Sequence, residues 1–132
     1  MSDPTIVFVC LHGAAKSVLA AHCWNRLARE RGLSVRATFA GVEPDPEIAP
    51  RVAAALAAEG ADLRGERPRR VTADEIVGAW RVVSFGCDLG PLAPGVPVER
   101  WDEVPAVSDG FEAARAAIEQ RVAALIATCR QP

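Results

Sequence analysis

A cysteine, a histidine, a lysine and a serine lie within eight residues near the start of the chain, at Cys10, His12, Lys16 and Ser17. The apolar run that ends at Cys10 predicts a buried strand, and a helical pattern begins near Ser17. The N-terminus of a helix presents unpaired backbone N–H groups, which attract anions and favour a thiolate over a thiol. We therefore expect residues 10–17, the Cys10 loop, to hold a tetrahedral oxyanion above a nucleophilic cysteine.

The expected oxyanion-binding residues are the loop that follows the cysteine: Leu11, His12, Gly13, Ala14, Ala15, Lys16 and Ser17. Lys16 is the only lysine in a chain whose other basic residues are all arginine. We therefore predict that this position requires a compact charge or a tunable pKa. His12 could contact the anion or favour the thiolate, or be an ordinary loop histidine, and Cys10 could instead be a buried core cysteine.

The rest of the chain alternates between strand and helix patterns. We expect strands at residues 5–10, 34–40, 81–85 and 96–101, and helices at 17–31, 47–59, from 72 onward and at 111–129. Strands that alternate with helices imply a parallel sheet with right-handed crossovers. The predicted fold is a single domain over residues 1–132, a three-layer α/β/α sandwich with a four-stranded parallel sheet.

Two further groups of reactive side chains are predicted at the same edge of the sheet. Cys87 follows the strand at 81–85, as Cys10 follows the first strand, and Asp102 and Glu103 follow the last strand. Open parallel sheets bind ligands at the carboxyl ends of their strands. Cys87 could be a redox partner of Cys10 or a plain cysteine at a strand end, and the acidic residues could be proton donors or solubilising loop residues.

Composition excludes several classes of function. With 24% charged residues and a net charge of −2, the chain has no electrostatic signature of a nucleic-acid-binding protein. It has neither an 18-residue apolar stretch nor a signal-peptide pattern, so we expect a cytoplasmic protein with no membrane partner. Four irregularly spaced cysteines do not form a disulfide framework. The set Cys10, His12, His22 and Cys23 lacks zinc-site spacing, so no metal is expected.

Several short segments occur in a fixed order: Val-Phe-Val-Cys-x5-Lys-Ser at 7–17, Ala-Gly at 40–41, Glu-Gly-Ala-Asp-Leu at 59–63, Val-Val-Ser-Phe-Gly-Cys at 82–87 and Trp-Asp at 101–102. In this order they resemble the low-molecular-weight protein tyrosine phosphatase family and, within it, the arsenate reductases most. The resemblance extends from Ile6 to about Ile126.

The resemblance implies roles for individual residues. Cys10 would attack a phosphate or arsenate held by the loop amides and Lys16, with Ser17 supporting the thiolate. Cys87 lies where reductases place a redox cysteine, but the usual neighbouring cysteine is absent from 88–91. An external thiol or a thioredoxin-type redox partner protein would then supply electrons.

The chain also departs from the family pattern. In the usual loop, Cys-x-x-Asn-x-x-Arg-Ser, an asparagine braces the loop and an arginine binds two oxygens at once; here Gly13 and Lys16 replace them. The family's Asp-Pro general acid is missing, and the alignment places Ala106 at the position of the acid. Asp102, Glu103 or Asp109 could substitute. Because the chain has no tyrosine, we expect it to lack the aromatic walls that hold phosphotyrosine.

Three functions follow from these features. The first is an arsenate-reductase-like enzyme acting on a small oxyanion. The second is a phosphatase that hydrolyses a phosphorylated substrate through a cysteinyl-phosphate, which requires a general acid for the leaving group. The third is a catalytically impaired or repurposed module that only binds an oxyanion.

Overall fold

A computed structural model describes residues 4–129. Its strands are β1 (Thr5–Cys10), β2 (Arg36–Gly41), β3 (Arg81–Ser84) and β4 (Glu99–Arg100), and its helices are α1 (Lys16–Arg31), α2 (Pro50–Ala58), α3 (Ala73–Gly78) and α4 (Phe111–Ala127). The strands form one sheet in the order β2-β1-β3-β4, and every pair is parallel. The predicted four-stranded parallel α/β fold is confirmed.

The central strand β1 is buried on both faces because helices or loops cover each side of the sheet. Successive side chains of a strand point to opposite faces. Ile6, Phe8 and Cys10 accordingly join a core cluster with α1, α2 and α4, whereas Val7 and Val9 join a second cluster with α3. Cys10 therefore ends the strand on the face that α1 and α4 cover.

Three aromatic rings fix the elements that surround Cys10. The rings of Phe8 and Phe85 lie 5.8 Å and 5.6 Å from that of Trp101, and the indole of Trp101 is fully buried. The backbone N–H of Trp101 also donates to the carbonyl oxygen of Ser84 at 2.8 Å. These contacts tie the segment after β4 to the end of β3, next to the site.

The observed boundaries differ from the predicted ones where proline is involved. α2 begins at Pro50 rather than at residue 47, and Ala49 is extended because proline disfavours helical geometry in the preceding residue. β4 contains two residues rather than the predicted 96–101. Pro97 has no N–H to donate to the ladder.

Two predicted helix signals are confirmed. Gly32 ends α1 in the left-handed conformation, and Thr72 forms a capping box with Glu75 at the start of α3. Between residues 4 and 129, no helix is long and apolar enough to cross a membrane.

Candidate functional site

Cys10 lies at the base of a concave loop between β1 and α1. Its thiol is 7% exposed, and Sγ lies 3.1 Å from Oγ of Ser17, a fully buried residue in the first turn of α1. The structure therefore brings together the predicted nucleophile and the hydroxyl predicted to support it. A hydroxyl at this distance stabilises a sulfur anion by donating a hydrogen bond to it.

Backbone hydrogen bonds hold the Cys10 loop from the outside. Four carbonyl oxygens of the loop accept hydrogen bonds from backbone N–H groups of the segment after β2, at 2.7 to 3.3 Å. Val42 donates to Cys10, Glu43 to Leu11, Asp45 to His12 and Ala49 to Ala14. The C=O and the following N–H of a trans peptide point in opposite directions. The N–H groups of Leu11, His12, Gly13 and Ala15 therefore point away from segment 42–49.

Gly13 and Gly41 allow this close approach. Gly13 has a φ of +60°, and a Cβ on it would lie 2.7 Å from the backbone nitrogen of Gly41. A Cβ on Gly41 would in turn lie 2.6 Å from the nitrogen of Gly13. An asparagine at position 13 would clash, so backbone contacts with the segment after β2 take the place of the side-chain brace typical of the family.

The ammonium of Lys16 donates a hydrogen bond to the carbonyl oxygen of Val104 at 3.0 Å. Lys16, which we expect to bind the oxyanion, is therefore hydrogen-bonded in this structure to the segment after β4. Because an ammonium has three donors, the remaining N–H groups can still bind an anion. Lys16 also lines the cavity that Cys10 opens into.

The cavity above Cys10 has a volume of about 680 Å³. Its lining comes from the Cys10 loop, the segment after β2, the start of α2 and the segment before α4: Cys10, Leu11, His12, Ala14, Ala15, Lys16, Asp45, Ala49, Pro50, Arg51, Phe85, Ala106, Val107, Ser108 and Phe111. Gly13 and Ser17 support the loop from behind and do not line the cavity.

Asp45, Arg51 and Phe111 line the cavity but were not predicted as site residues. Asp45 Oδ1 lies 3.5 Å from Nδ1 of His12, which is also 3.1 Å from the carbonyl oxygen of Glu43. Arg51 places its guanidinium 4.6 Å from the ring centroid of Phe111. Two phenylalanines, at positions 85 and 111, line the cavity of this chain, which has no tyrosine.

Cys87 lies on the neighbouring strand connection and is partly buried. Val9 pairs with Ser84 between β1 and β3, so the two cysteines follow adjacent strands at one edge of the sheet. The Ser84 hydroxyl accepts from the Cys87 N–H at 2.9 Å and donates to its carbonyl oxygen at 2.6 Å, which fixes the turn. Burial, and next the charge of Cys10, raise the pKa of the Cys87 thiol.

Asp102, one of the residues expected to substitute for the general acid, does not line the cavity. Its carboxylate accepts from the N–H of Gly86 at 3.1 Å and pairs with Arg100 at 3.1 Å. Glu103 pairs with Arg121 of α4. Ala106, at the position that the sequence analysis predicts for the acid, does line the cavity. Its methyl group has no proton to donate.

The remaining cysteines and histidines form no metal centre. His22 contacts Glu66 at 3.3 Å, and Cys23 is buried, which raises the pKa of its thiol to about 11. No group of three or more His, Cys, Asp or Glu side chains within the described residues could hold a metal ion.

Comparison with known sequences places the chain in a family. A sequence profile of low molecular weight phosphotyrosine protein phosphatase matches residues 5–83. The chain belongs to this family. Cys10, the predicted nucleophile, is the last residue of β1.

Proteins similar to this chain include both arsenate reductases and phosphatases. A Halobacterium salinarum protein described as "Putative arsenate reductase" is 31% identical over 97 residues, which cover 71% of this chain and 68% of that protein. The thioredoxin-dependent arsenate reductase of Corynebacterium glutamicum has a TM-score of 0.78 and is 27% identical to this chain. The match covers 96% of this chain and 62% of the reductase. YfkJ from Bacillus subtilis has a TM-score of 0.84 and 20% identity, over 97% of this chain and 95% of its own, and shares the fold.

Proposed function

We propose that this protein is an arsenate-reductase-like oxyanion enzyme with Cys10 as its nucleophile. The observation that carries the proposal is the position of Cys10 at the base of the cavity, 3.1 Å from the buried hydroxyl of Ser17. The arsenate reductases among its relatives support the choice of substrate.

In the first step, the Cys10 thiolate attacks the arsenic atom of arsenate, and one oxygen leaves as water after taking up protons. The product is a covalent thiol–arsenate adduct. The loop N–H groups and the Lys16 ammonium stabilise the negative charge that develops on the remaining oxygens, since fixed donors stabilise such charge at little reorganisation cost.

In the second step, the Cys87 thiolate attacks Sγ of Cys10. The sulfur–arsenic bond breaks with its electron pair on arsenic, which leaves as arsenite, and a Cys10–Cys87 disulfide forms. A thiol attacks only as its thiolate. An external dithiol of the thioredoxin type, or two small thiols, would then reduce the disulfide.

Phosphatase activity is the second candidate, because the chain belongs to a phosphatase family. It needs a proton donor for the leaving alcohol, and such a donor contributes about 10²- to 10⁴-fold to the rate. Ala106 cannot supply that proton. Arsenate reduction also needs a proton on its leaving oxygen, but at neutral pH arsenate already carries a hydroxyl group, which needs one further proton from solvent to leave as water.

Two parallel assays test the proposal. Arsenate-dependent oxidation of thioredoxin or of a small thiol is expected for the wild-type protein, with little hydrolysis of a chromogenic aryl phosphate. Rapid hydrolysis lost in Cys10→Ser, without arsenate reduction, would instead establish a phosphatase. Phosphate or arsenate binding without turnover in either assay would establish a binding module and overturn the proposal.

A further inference from the structure

The cavity above Cys10 is larger than a free oxyanion requires. Its volume of about 680 Å³ lies within the range of about 300–1,000 Å³ typical of pockets for organic ligands. The side of the cavity formed by the start of α2 and the segment before α4 is lined by apolar groups from Ala49, Pro50, Val107 and Phe111. This side can hold an organic group attached to the oxyanion.

Arg51 places a positive charge on the same side of the cavity. Its guanidinium lies over the ring of Phe111, 4.6 Å from the centroid, which orients the planar group. Its other partner within residues 4–129 is the Glu112 carboxylate at 3.7 Å, with side chains 66% and 85% exposed. Because an ion pair so exposed to solvent is weak, the Arg51 guanidinium can release the Glu112 carboxylate and bind an anionic ligand instead.

The other charged groups of the cavity do not compete for this role. Lys16 is expected to bind the oxyanion at Cys10, and the Asp45 carboxylate, itself an anion, lies 3.5 Å from His12. A guanidinium recognises carboxylates through two parallel N–H···O bonds. Arg51, which lies on α2 rather than on the Cys10 loop, can therefore offer these donors to a second anionic group.

We infer that Arg51 is a specificity-determining residue: the cavity takes a small organic molecule with a tetrahedral oxyanion at Cys10 and a carboxylate at Arg51. The inference rests on the proposed oxyanion site and adds a class of organic ligand that this site takes besides free arsenate. Phe111 is a positioning residue, since it acts by orienting the guanidinium.

Paired non-hydrolysable probes test the inference without turnover. The affinities of phenylphosphonate and 4-carboxyphenylphosphonate are measured by titration calorimetry, with inorganic phosphate as the reference for the oxyanion site. We expect the carboxylate to improve binding about tenfold in the wild-type protein, as for a charge-assisted bidentate contact open to solvent. The ratio of the two affinities is the readout, because loss of one positive charge weakens all anions together.

Arg51→Gln should reduce this ratio to near one, and Arg51→Lys should leave an intermediate ratio because an ammonium lacks the planar fork. Arg26→Gln is the matched control: Arg26 also pairs with a glutamate at 3.7 Å but lies outside this cavity, and its variant should keep the tenfold ratio. A ratio near one in the wild-type protein, or a ratio retained in Arg51→Gln, would overturn the inference while leaving phosphate binding intact. If phosphate and both phosphonates fail to bind, the proposed oxyanion site is itself wrong, and the inference fails with it.

Discussion

Lys16 and Val104 lie 88 residues apart in sequence but share a 3.0 Å hydrogen bond from the lysine ammonium to the valine carbonyl oxygen. This bond joins the Cys10 loop to the segment after β4, which contributes Ala106 and Val107 to the cavity. The sole lysine of the chain thus connects the two walls of the site and leaves donors free for an anion.

Replacement of Lys16 should weaken oxyanion binding in two graded steps. Lys16→Met should lower turnover by about 10²- to 10³-fold, as for loss of one oxyanion donor. Lys16→Arg keeps the charge, but its larger planar fork cannot make the same contact with Val104, so arsenate affinity and turnover should fall by less. The measurements are arsenate titration and steady-state kinetics.

Arg121→Met is the control for the Lys16 variants. Arg121 pairs with Glu103 and so holds the segment after β4 without lining the cavity. Its loss should leave oxyanion affinity within about twofold. Unchanged or higher affinity and activity in Lys16→Arg would contradict the account of Lys16.

The contact between Gly13 and Gly41 predicts a steric effect that a distant glycine should not have. Gly41→Ala places a Cβ 2.6 Å from the nitrogen of Gly13, so we expect a loss of about 1–3 kcal/mol in the free energy of unfolding. Phosphate affinity should fall as well, because the clash displaces the loop amides. Denaturant unfolding and phosphate titration measure the two effects.

Gly78 provides the comparison. A Cβ there has no heavy atom within 4 Å, and Gly78 is the last residue of α3, so Gly78→Ala should be neutral or slightly stabilising. Equal stability of the alanine variants at 41 and 78 would argue against the close backbone contact.

The raised pKa of the Cys87 thiol predicts that disulfide formation with Cys10 depends on pH. Since burial raises the pKa of its thiol, Cys87 is mostly protonated near neutral pH, and its thiolate fraction increases as pH rises. The rate of disulfide formation after arsenate addition should therefore rise by about tenfold per pH unit below that pKa. Single-turnover quench experiments across pH 6–9 measure the rate.

Cys87→Ser should accumulate the thiol–arsenate adduct on Cys10 and release arsenite only with an added small thiol. Cys129, which follows α4, is also a partly buried free cysteine. Cys129→Ser is therefore the control and should behave as the wild-type protein. A pH-independent second step, or normal turnover in Cys87→Ser with a thioredoxin-type reductant alone, would exclude Cys87 as the relay.

Because Ala106 has no proton to donate, replacing it with an acid should increase phosphatase activity. Ala106→Asp would place a carboxyl group in the cavity at the family's position for the acid, which should raise hydrolysis of an aryl phosphate with a poor leaving group by about tenfold or more. Ala106→Asn has a similar size but no transferable proton and should give no increase. If both variants remain inactive while binding phosphate, the missing acid is not what limits hydrolysis.

The fold and the position of Cys10 at the end of the first strand were predictable because their signals are local. An unbroken apolar strand, a cysteine, small residues and a helical pattern follow one another within 5–31, and the alternation of strands and helices extends over the chain. The αL cap at Gly32 and the capping box at Thr72 were recognisable for the same reason.

The partners of the loop were not predictable, because they come from segments distant in sequence. Lys16 was expected to bind the anion together with the loop amides, but its contact with Val104 depends on how the segment after β4 folds back. Asp102 is a carboxylic acid near the sheet edge that Cys10 occupies, as a general acid would be. Its carboxylate, however, accepts a hydrogen bond from the Gly86 N–H and pairs with Arg100. Arg51 had no signal beyond its place in the first turn of a helix that starts near this edge.

The central claim is that Cys10 reduces arsenate by forming a bond to arsenic, and a single turnover without external reductant tests it most directly. Fully reduced protein is mixed with excess arsenate, and arsenite is measured per mole of protein. We predict about one equivalent of arsenite with loss of two thiols for the wild-type protein, since one disulfide supplies two electrons, and none for Cys10→Ser. Arsenite formation retained in Cys10→Ser, or absent from the wild-type protein under these conditions, would contradict the account.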